Sequence, residues 1–268
     1  MLDVADGVVC FRANNPSPMT LGGTNCYVLS WDQAALLIDV GPEDEAHLDA
    51  LAAYLRSNQL ALRAILLTHT HSDHIGGLDA FRRRVPAPVY AFKESYDQRL
   101  HDGGTLYETL SVLHTPGHAG DCVCFFHQRT GVLFAGDTIL GSGTSVIAPP
   151  EGDVSAYLAS LERLRALPIR RIAPGHGPLI DEPRAKIDEY IEHRLMRERQ
   201  IVEKLEAGPK TVDELVRAIY TDVDPRLLGA AAWSVHAHLK RLQQAGRIDE
   251  QPNGPSVTWS LTYPSRTR

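Results

Sequence analysis

Three imidazoles and a carboxylate lie within six residues of the stretch Thr68-His69-Thr70-His71-Ser72-Asp73-His74-Ile75-Gly76-Gly77. It follows the apolar run Ala64-Ile65-Leu66-Leu67, which reads as a buried strand. If the backbone stays extended through His69 and His71, the period of two puts both rings on one side, and Asp73 and His74 fall at the turn into a helix. One loop built this way can feed two ions. Neutral imidazole and carboxylate suit zinc or a neighbouring divalent metal, with ligand distances of about 2.0 to 2.2 Å. A lone histidine would read as a solvated or capping group, but His-x-His-x-Asp-His directly after a strand has few structural uses.

Three further loops each begin where a strand-like run ends, and each sets a ligand type beside glycine: Thr115-Pro116-Gly117-His118, Ala135-Gly136-Asp137-Thr138 and Ala173-Pro174-Gly175-His176-Gly177. Small residues let backbone approach a crowded site. Each loop alone reads as an ordinary turn. Together with the first they bring the candidate ligands to seven: His69, His71, Asp73, His74, His118, Asp137 and His176. That set suffices for two divalent metal ions per chain, zinc being the favoured identity, with positions left for water and substrate.

The elements that must position these loops are legible as patterns. Val8 to Phe11, Thr24 to Leu29 and Ala34 to Asp39 read as a strand meander, and Glu43 to Ser57 as a helix buried through Leu48, Leu51, Ala52 and Leu55. A helix follows the metal loop, carrying Ile75, Leu78 and Phe81 inward and ending at Arg82-Arg83-Arg84, a basic triplet suited to a helix C-terminus. Strands are predicted at 88–91, 110–113, 122–126, 132–135 and 170–173, with a helix capped by Asp153 before the last. A long charged helix over 182–205 presents Ile187, Tyr190, Ile191, Leu195, Ile201 and Leu205, and the composition shifts at Ala207-Gly208-Pro209. Thr211 and Glu214 then form a capping-box pattern, Asp224-Pro225 starts a second helix carrying Leu228, Ala232, Val235, Leu239 and Leu242, and 247–261 alternates around the turn signal Pro252-Asn253-Gly254-Pro255. The tail thus reads as helix, helix, wing.

The 268 residues, 43% apolar, can bury a sizeable core, and no run reaches the length of a bilayer span. The acidic start Met1-Leu2-Asp3-Val4-Ala5-Asp6 does not resemble a signal or transit peptide, so a soluble cytoplasmic protein with no membrane partner is expected. Cys10, Cys26, Cys122 and Cys124 include no Cys-x-x-Cys and read as buried free thiols. The net charge of −6 argues mildly against a broad nucleic-acid surface, although two divalent cations would make the site itself positive.

His-x-His-x-Asp-His followed by a spaced His, an Asp and a final His resembles the signature of the metallo-beta-lactamase fold over roughly the first 205 residues. The resemblance implies an α/β fold, a four-layer αβ/βα sandwich. It implies that His69, His71 and His118 hold the first metal, Asp73, His74 and His176 the second, and that Asp137 bridges them. Zinc beta-lactamases commonly have Cys where this chain has Asp137, so antibiotic hydrolysis is not implied. The stretches 136–144, 174–180 and 186–194 are further similar to the beta-lactamase-like protein 2 family. That family has a small winged-helix-like domain after its metal domain, and its animal members are endoribonucleases acting on single-stranded RNA. The organisation expected is a catalytic domain over 1–206 and a winged-helix-like domain over 207–268.

Two hydrolytic chemistries remain open, because the same pair of metals neutralises charge growing on a phosphoryl oxygen or on a thioester oxyanion. The expected function is a dinuclear metal-dependent phosphodiesterase or endoribonuclease acting through a metal-bridging hydroxide on single-stranded RNA. The other reading is a thioester hydrolase of the glyoxalase II or carrier-protein thioesterase type. Asp73 and Asp137 are the candidate catalytic carboxylates, Asp73 relaying a proton and Asp137 mainly holding the ions together. Segment 206–268 carries eight Lys or Arg against seven Asp or Glu, less basic than a committed nucleic-acid binder. Trp233, His236 and His238 are expected either to touch RNA or to pack a lid or a homodimer interface.

Overall fold

The computed structural model describes residues 1–253 and 256–262. Strand β1 (Leu2–Ala5), not foreseen from the sequence, adds an edge to the expected antiparallel meander of β2 (Val8–Arg12), β3 (Asn25–Trp31) and β4 (Ala34–Ile38). Helix α1 (Glu45–Ser57) crosses back to β5 (Ala61–Leu66), which pairs parallel with β4. Two short helices, α2 (Ser72–Ile75) and α3 (Leu78–Arg84), precede β6 (Val89–Ala91) and β7 (Gln98–Arg99), completing a seven-stranded sheet in order β1 to β7.

The single helix expected after the metal loop is therefore broken at Gly76-Gly77. The carbonyl of His74 accepts the amides of Val40 and Gly41 at 3.0 and 2.9 Å, so it is taken from the helical ladder. A Cβ on Gly77 would lie 2.7 Å from the Pro42 carbonyl oxygen, so the close approach of that loop requires glycine.

The second sheet contains β8 (Thr105–Leu106), β9 (Leu110–His114), β10 (Val123–His127) and β11 (Val132–Gly136), joined in parallel by β12 (Arg171–Pro174) after helix α4 (Val154–Arg165). Asp153 caps α4 by accepting the Ala156 amide at 2.8 Å. Val8, Tyr27, Leu36 and Leu66 meet Val112, Phe125 and Phe134 between the sheets. α1 and α3 cover the outer face of the first sheet, and α4 with α5 (Pro183–Glu206) covers that of the second. This is the four-layer αβ/βα sandwich.

Helix α5 continues past the sandwich, where Ile201 and Leu205 join the core of the tail. There α6 (Val212–Ile219) begins with the predicted Thr211–Glu214 capping box, and Pro225–Leu227 forms a 3-10 turn before α7 (Leu228–Gln244). Strands β13 (Ile248–Asn253) and β14 (Ser256–Leu261) make the wing. The Gly254-Pro255 part of its turn lies outside the described residues. Leu228, read as a core position, is 40% exposed, at the junction of the 3-10 turn and the first residue of α7. All four cysteines are buried and free, and no described helix is long and apolar enough to cross a membrane.

Phe134 is fully buried between the sheets and meets Tyr27 edge-on at 5.2 Å. Phe134→Ala should cost about 3–5 kcal/mol, seen as a lower urea midpoint at unchanged slope, whereas a loss below about 1 kcal/mol would show that the sheets do not depend on this contact.

Candidate metal centre

Every candidate ligand stands just after a strand, at the edge of the sandwich where such folds bind their ligands. His69, His71, Asp73 and His74 follow β5, His118 follows β9, Asp137 follows β11 and His176 follows β12. The structure brings all seven together in two adjoining groups, His69, His71 and His118 in one and Asp73, His74, Asp137 and His176 in the other. Within each group the candidate donor atoms lie within 4.8 Å of one another. His71 Nδ1 is 3.1 Å from His69 Nε2 and 3.0 Å from His118 Nε2, and His74 Nε2 is 3.3 Å from His176 Nε2.

In four of the five histidines the opposite ring nitrogen is occupied by oxygen. Nδ1 of His74 faces Asp39 Oδ2 at 2.8 Å, that of His118 donates to the Val146 carbonyl at 2.7 Å, and that of His176 faces the Gly23 carbonyl at 3.3 Å. His69 Nδ1 lies 3.0 Å from Thr68 Oγ1, whose hydroxyl donates to Asp39 Oδ2 at 2.7 Å. Such outer contacts fix ring and tautomer and leave Nε2 bare toward the centre, as metal-binding histidines require.

Asp137 divides its carboxylate between the groups. Oδ1 is 3.4 Å from both His74 Nε2 and His176 Nε2, and Oδ2 is 3.7 Å from His118 Nε2. Oδ1 is buried with no hydrogen-bond partner among the described residues. A buried anionic oxygen of this kind is costly unless a cation meets it, so the donor set fits a divalent ion on each side of Asp137. Gly175 makes room for this, since a Cβ there would lie 2.6 Å from Asp137 Oδ1 and 2.8 Å from His74 Cε1.

Burial pushes His69 well below the usual imidazole range and lowers His118, so both rings stay neutral and able to donate a lone pair. At His74 burial opposes the charged form, but the Asp137 and Asp39 carboxylates outweigh it and hold the pKa well above ordinary. His176 is likewise pushed up to about 9 against burial by the close carboxylates of Asp137 and Asp73. Burial opposes ionisation of Asp73 and Asp137, yet the neighbouring imidazoles depress both, Asp137 strongly. The second group thus holds protons between histidine and carboxylate that a divalent ion replaces on binding.

Sequence reasoning missed Asp39, which it read only as the end of a strand. Its carboxylate accepts the Thr68 amide at 2.8 Å, the Thr68 hydroxyl and His74 Nδ1, and its backbone sits at φ 55°. A left-handed non-glycine residue buried at a site marks strain held by its surroundings. The only signal in the chain was a carboxylate directly after the apolar Leu36-Leu37-Ile38. Asn25 was also missed, although its amide donates to the Pro174 and Gly177 carbonyls at 3.0 and 2.9 Å and pins the loop of His176.

Two cavities open from the cluster. One of about 360 Å³ is lined by His71, Asp73, His118 and Asp137 and, from α7, by Trp233, which is 52% exposed. Another of about 320 Å³ runs from His118 and Asp137 to α5 and the tail. His236 packs toward Trp259 at 6.2 Å, and His238 is buried inside the tail junction, so of the three tail residues singled out only Trp233 reaches the centre.

Comparison with known proteins agrees with this geometry. The model of the metallo-beta-lactamase superfamily matches residues 19–110 and 107–176, and that of the beta-lactamase associated winged helix domain matches residues 211–259. The beta-lactamase-like protein 2 homolog of Caenorhabditis elegans is 35% identical over 271 residues, covering 96% of this chain and 90% of that protein. A crystal structure of a metallo-beta-lactamase family protein from Thermus thermophilus has the same fold, with TM-score 0.79 over 96% of this chain and 99% of the other at 24% identity. Another protein, solved in a di-iron-bound form, matches at TM-score 0.54 and 28% identity, covering 65% of this chain and 95% of its own.

Asp39→Asn keeps the shape of the side chain but removes the charge behind His74. Metal affinity measured by competition with a chromophoric chelator should fall about 10- to 100-fold, and unchanged affinity would remove Asp39 from the centre. Asp137→Ala should cost far more turnover than His101→Ala, since His101 is exposed and lies outside both groups. Near wild-type rates for the Asp137 variant with metal bound would contradict the bridging role.

Proposed function

Because the chain belongs to the metallo-beta-lactamase superfamily, we propose that its metal centre cleaves phosphodiesters, with single-stranded RNA as substrate and zinc as the metal. The protein is a metal-dependent hydrolase. His69, His71 and His118 would hold one ion, Asp73, His74 and His176 the other, and Asp137 would lie between them. When bound, such a pair lowers the pKa of a shared water and neutralises charge developing on the substrate.

The remaining work falls to side chains of this chain. Asp73, partly exposed at the floor of the cavity and 3.0 Å from His176 Nε2 through Oδ2, is placed to take a proton from the incoming water. Asp39 holds His74, and the Val146 carbonyl holds His118, so neither ring reorients during turnover. Trp233 offers an open indole face at the mouth of the cavity.

The observation that carries the RNA reading is that exposed Trp233. A half-exposed indole at the mouth of the cavity offers a face on which an unpaired base stacks without regard to sequence. The chain is also 35% identical to proteins named beta-lactamase-like protein 2 homolog, the family whose resemblance implies single-stranded RNA as substrate. The thioester reading is the second choice, and the apolar Leu140, Val223, Leu227 and Ala231 along the other cavity favour it, since they would accept an acyl chain. Four buried free thiols support a reducing, cytoplasmic setting for either.

One assay panel separates the two readings: an RNA oligomer, bis(4-nitrophenyl) phosphate, and glutathione and coenzyme A thioesters, with Asp137→Ala as the control. RNA cleavage that vanishes in the control is expected. Steady thioester turnover lost in the control, without phosphodiester cleavage, would overturn the RNA reading. Trp233→Ala should lower kcat/KM for RNA about 5- to 150-fold, the range of one base stack, and change the small diester far less. Equal losses on both would assign the indole a structural part.

A further inference from the structure

The cavity that runs from His118 and Asp137 to the tail ends in two arginines and a neutral histidine that the hydrolytic step does not use. Arg194, His193 and Arg197 of α5 line it together with Tyr220 after α6. Arg194 is 2% exposed, and its Nε has no hydrogen-bond partner among the described residues; nor have Arg197 Nε and His193 Nδ1. Arg194 donates to the Ser145 carbonyl and lies 5.2 Å from the Tyr157 ring centroid. Arg197 donates to Gln200 Oε1 at 2.8 Å and lies 4.3 Å over Tyr220.

Neither guanidinium pairs with a carboxylate among the described residues. The acids on the same helix are engaged elsewhere: Glu189 by Lys186, Glu192 by Arg199, and Glu198 by Arg241 and Arg247. Buried charge without a counter-charge costs heavily, and an aromatic face compensates only part of it. The two arginines add to the effect of burial on the nearby imidazoles: burial, reinforced by Arg194 and Arg197, lowers His193 to about 4, and burial with Arg194 foremost among the charges lowers His238 to about 3. An anion is the missing partner.

We propose that this end of the cavity is an anion subsite that takes a second phosphate of the substrate, separate from the group under attack, with Arg197 and Arg194 as its recognition residues. The volume of about 320 Å³ holds such a group together with part of the chain between it and the reacting bond. Arginine suits this use because its planar fork meets phosphate oxygens in pairs. The subsite deepens the hydrolase reading by naming a substrate feature, and rests on it only in placing the reacting bond at the metal centre. Two sources carry the same chemistry, a neighbouring nucleotide phosphate and the phosphates of coenzyme A or a phosphopantetheine arm.

The test uses Arg197, since Arg194 also straps the loop of Asp137 through Ser145, whose hydroxyl donates to the Asp137 carbonyl at 2.7 Å. Metal-loaded wild type, Arg197→Gln and Arg197→Lys are assayed on two substrate pairs. One is a diribonucleoside monophosphate with and without a terminal phosphate; the other is acetyl-coenzyme A against S-acetylpantetheine. In whichever pair is turned over, the wild type should prefer the phosphorylated member. Arg197→Gln should cut that preference about 10- to 100-fold, mainly through KM, and Arg197→Lys should restore part of it. A preference unchanged in Arg197→Gln, whether both rates fall together or neither moves, would overturn the subsite. Turnover of the thioester pair alone would sink the RNA reading and leave the subsite to be judged on that pair.

Discussion

Seven polar side chains face one another inside a half-buried pocket, with ring nitrogens 3.0 to 3.3 Å apart and one carboxylate oxygen lacking a hydrogen bond among the described residues. Without cations this arrangement crowds imidazoles and carboxylates that only shared protons relieve, so the rest of the fold must hold it together. The two sheets do so by delivering every ligand loop to the same edge. Their packing fixes the distance between β5 and its loop on one side and β9, β11 and β12 on the other. The outer hydrogen bonds then set four of the five rings. Among these the Asp39 carboxylate is central, because it ties the start of the metal loop at Thr68 to its end at His74.

Helix α5 couples this centre to the tail. Its first half packs on the second sheet, where the Tyr190 hydroxyl meets the Leu140 amide at 2.9 Å and Arg194 holds Ser145 in the loop that begins with Asp137. Its second half supplies Ile201 and Leu205 to the tail core. One continuous helix therefore positions both the carboxylate between the ion positions and the domain that carries Trp233. The winged helix in this arrangement is a wall of the active site, and its near-neutral charge fits a wall better than a free-standing nucleic-acid clamp.

Much of the site could be read from the chain because its chemistry is local. His69, His71, Asp73 and His74 fall within one short loop, and glycine beside His118, Asp137 and His176 marks where backbone must approach closely. The sandwich was legible from strand runs alternating with helical apolar stripes. What stayed hidden depends on contacts distant in sequence. Asp39 resembles any strand-ending turn until His74, 35 residues later, is seen on its carboxylate. The break at Gly76-Gly77 follows from amides of Val40 and Gly41 capturing a carbonyl, which no periodicity encodes. Helical spacing likewise could not show that Arg194 and Glu198 lie buried among the apolar positions of α5, nor that Trp233 faces the cavity while His238 faces inward.

The central claim is that Asp137 separates two cation positions, each completed by three of the other ligands. Anomalous diffraction from crystals of protein purified without chelator and loaded with zinc measures this directly. The account predicts two peaks per chain about 3.5 to 4 Å apart, on either side of the Asp137 carboxylate. A single peak at full loading, or a second peak away from Asp73, His74 and His176, would contradict it.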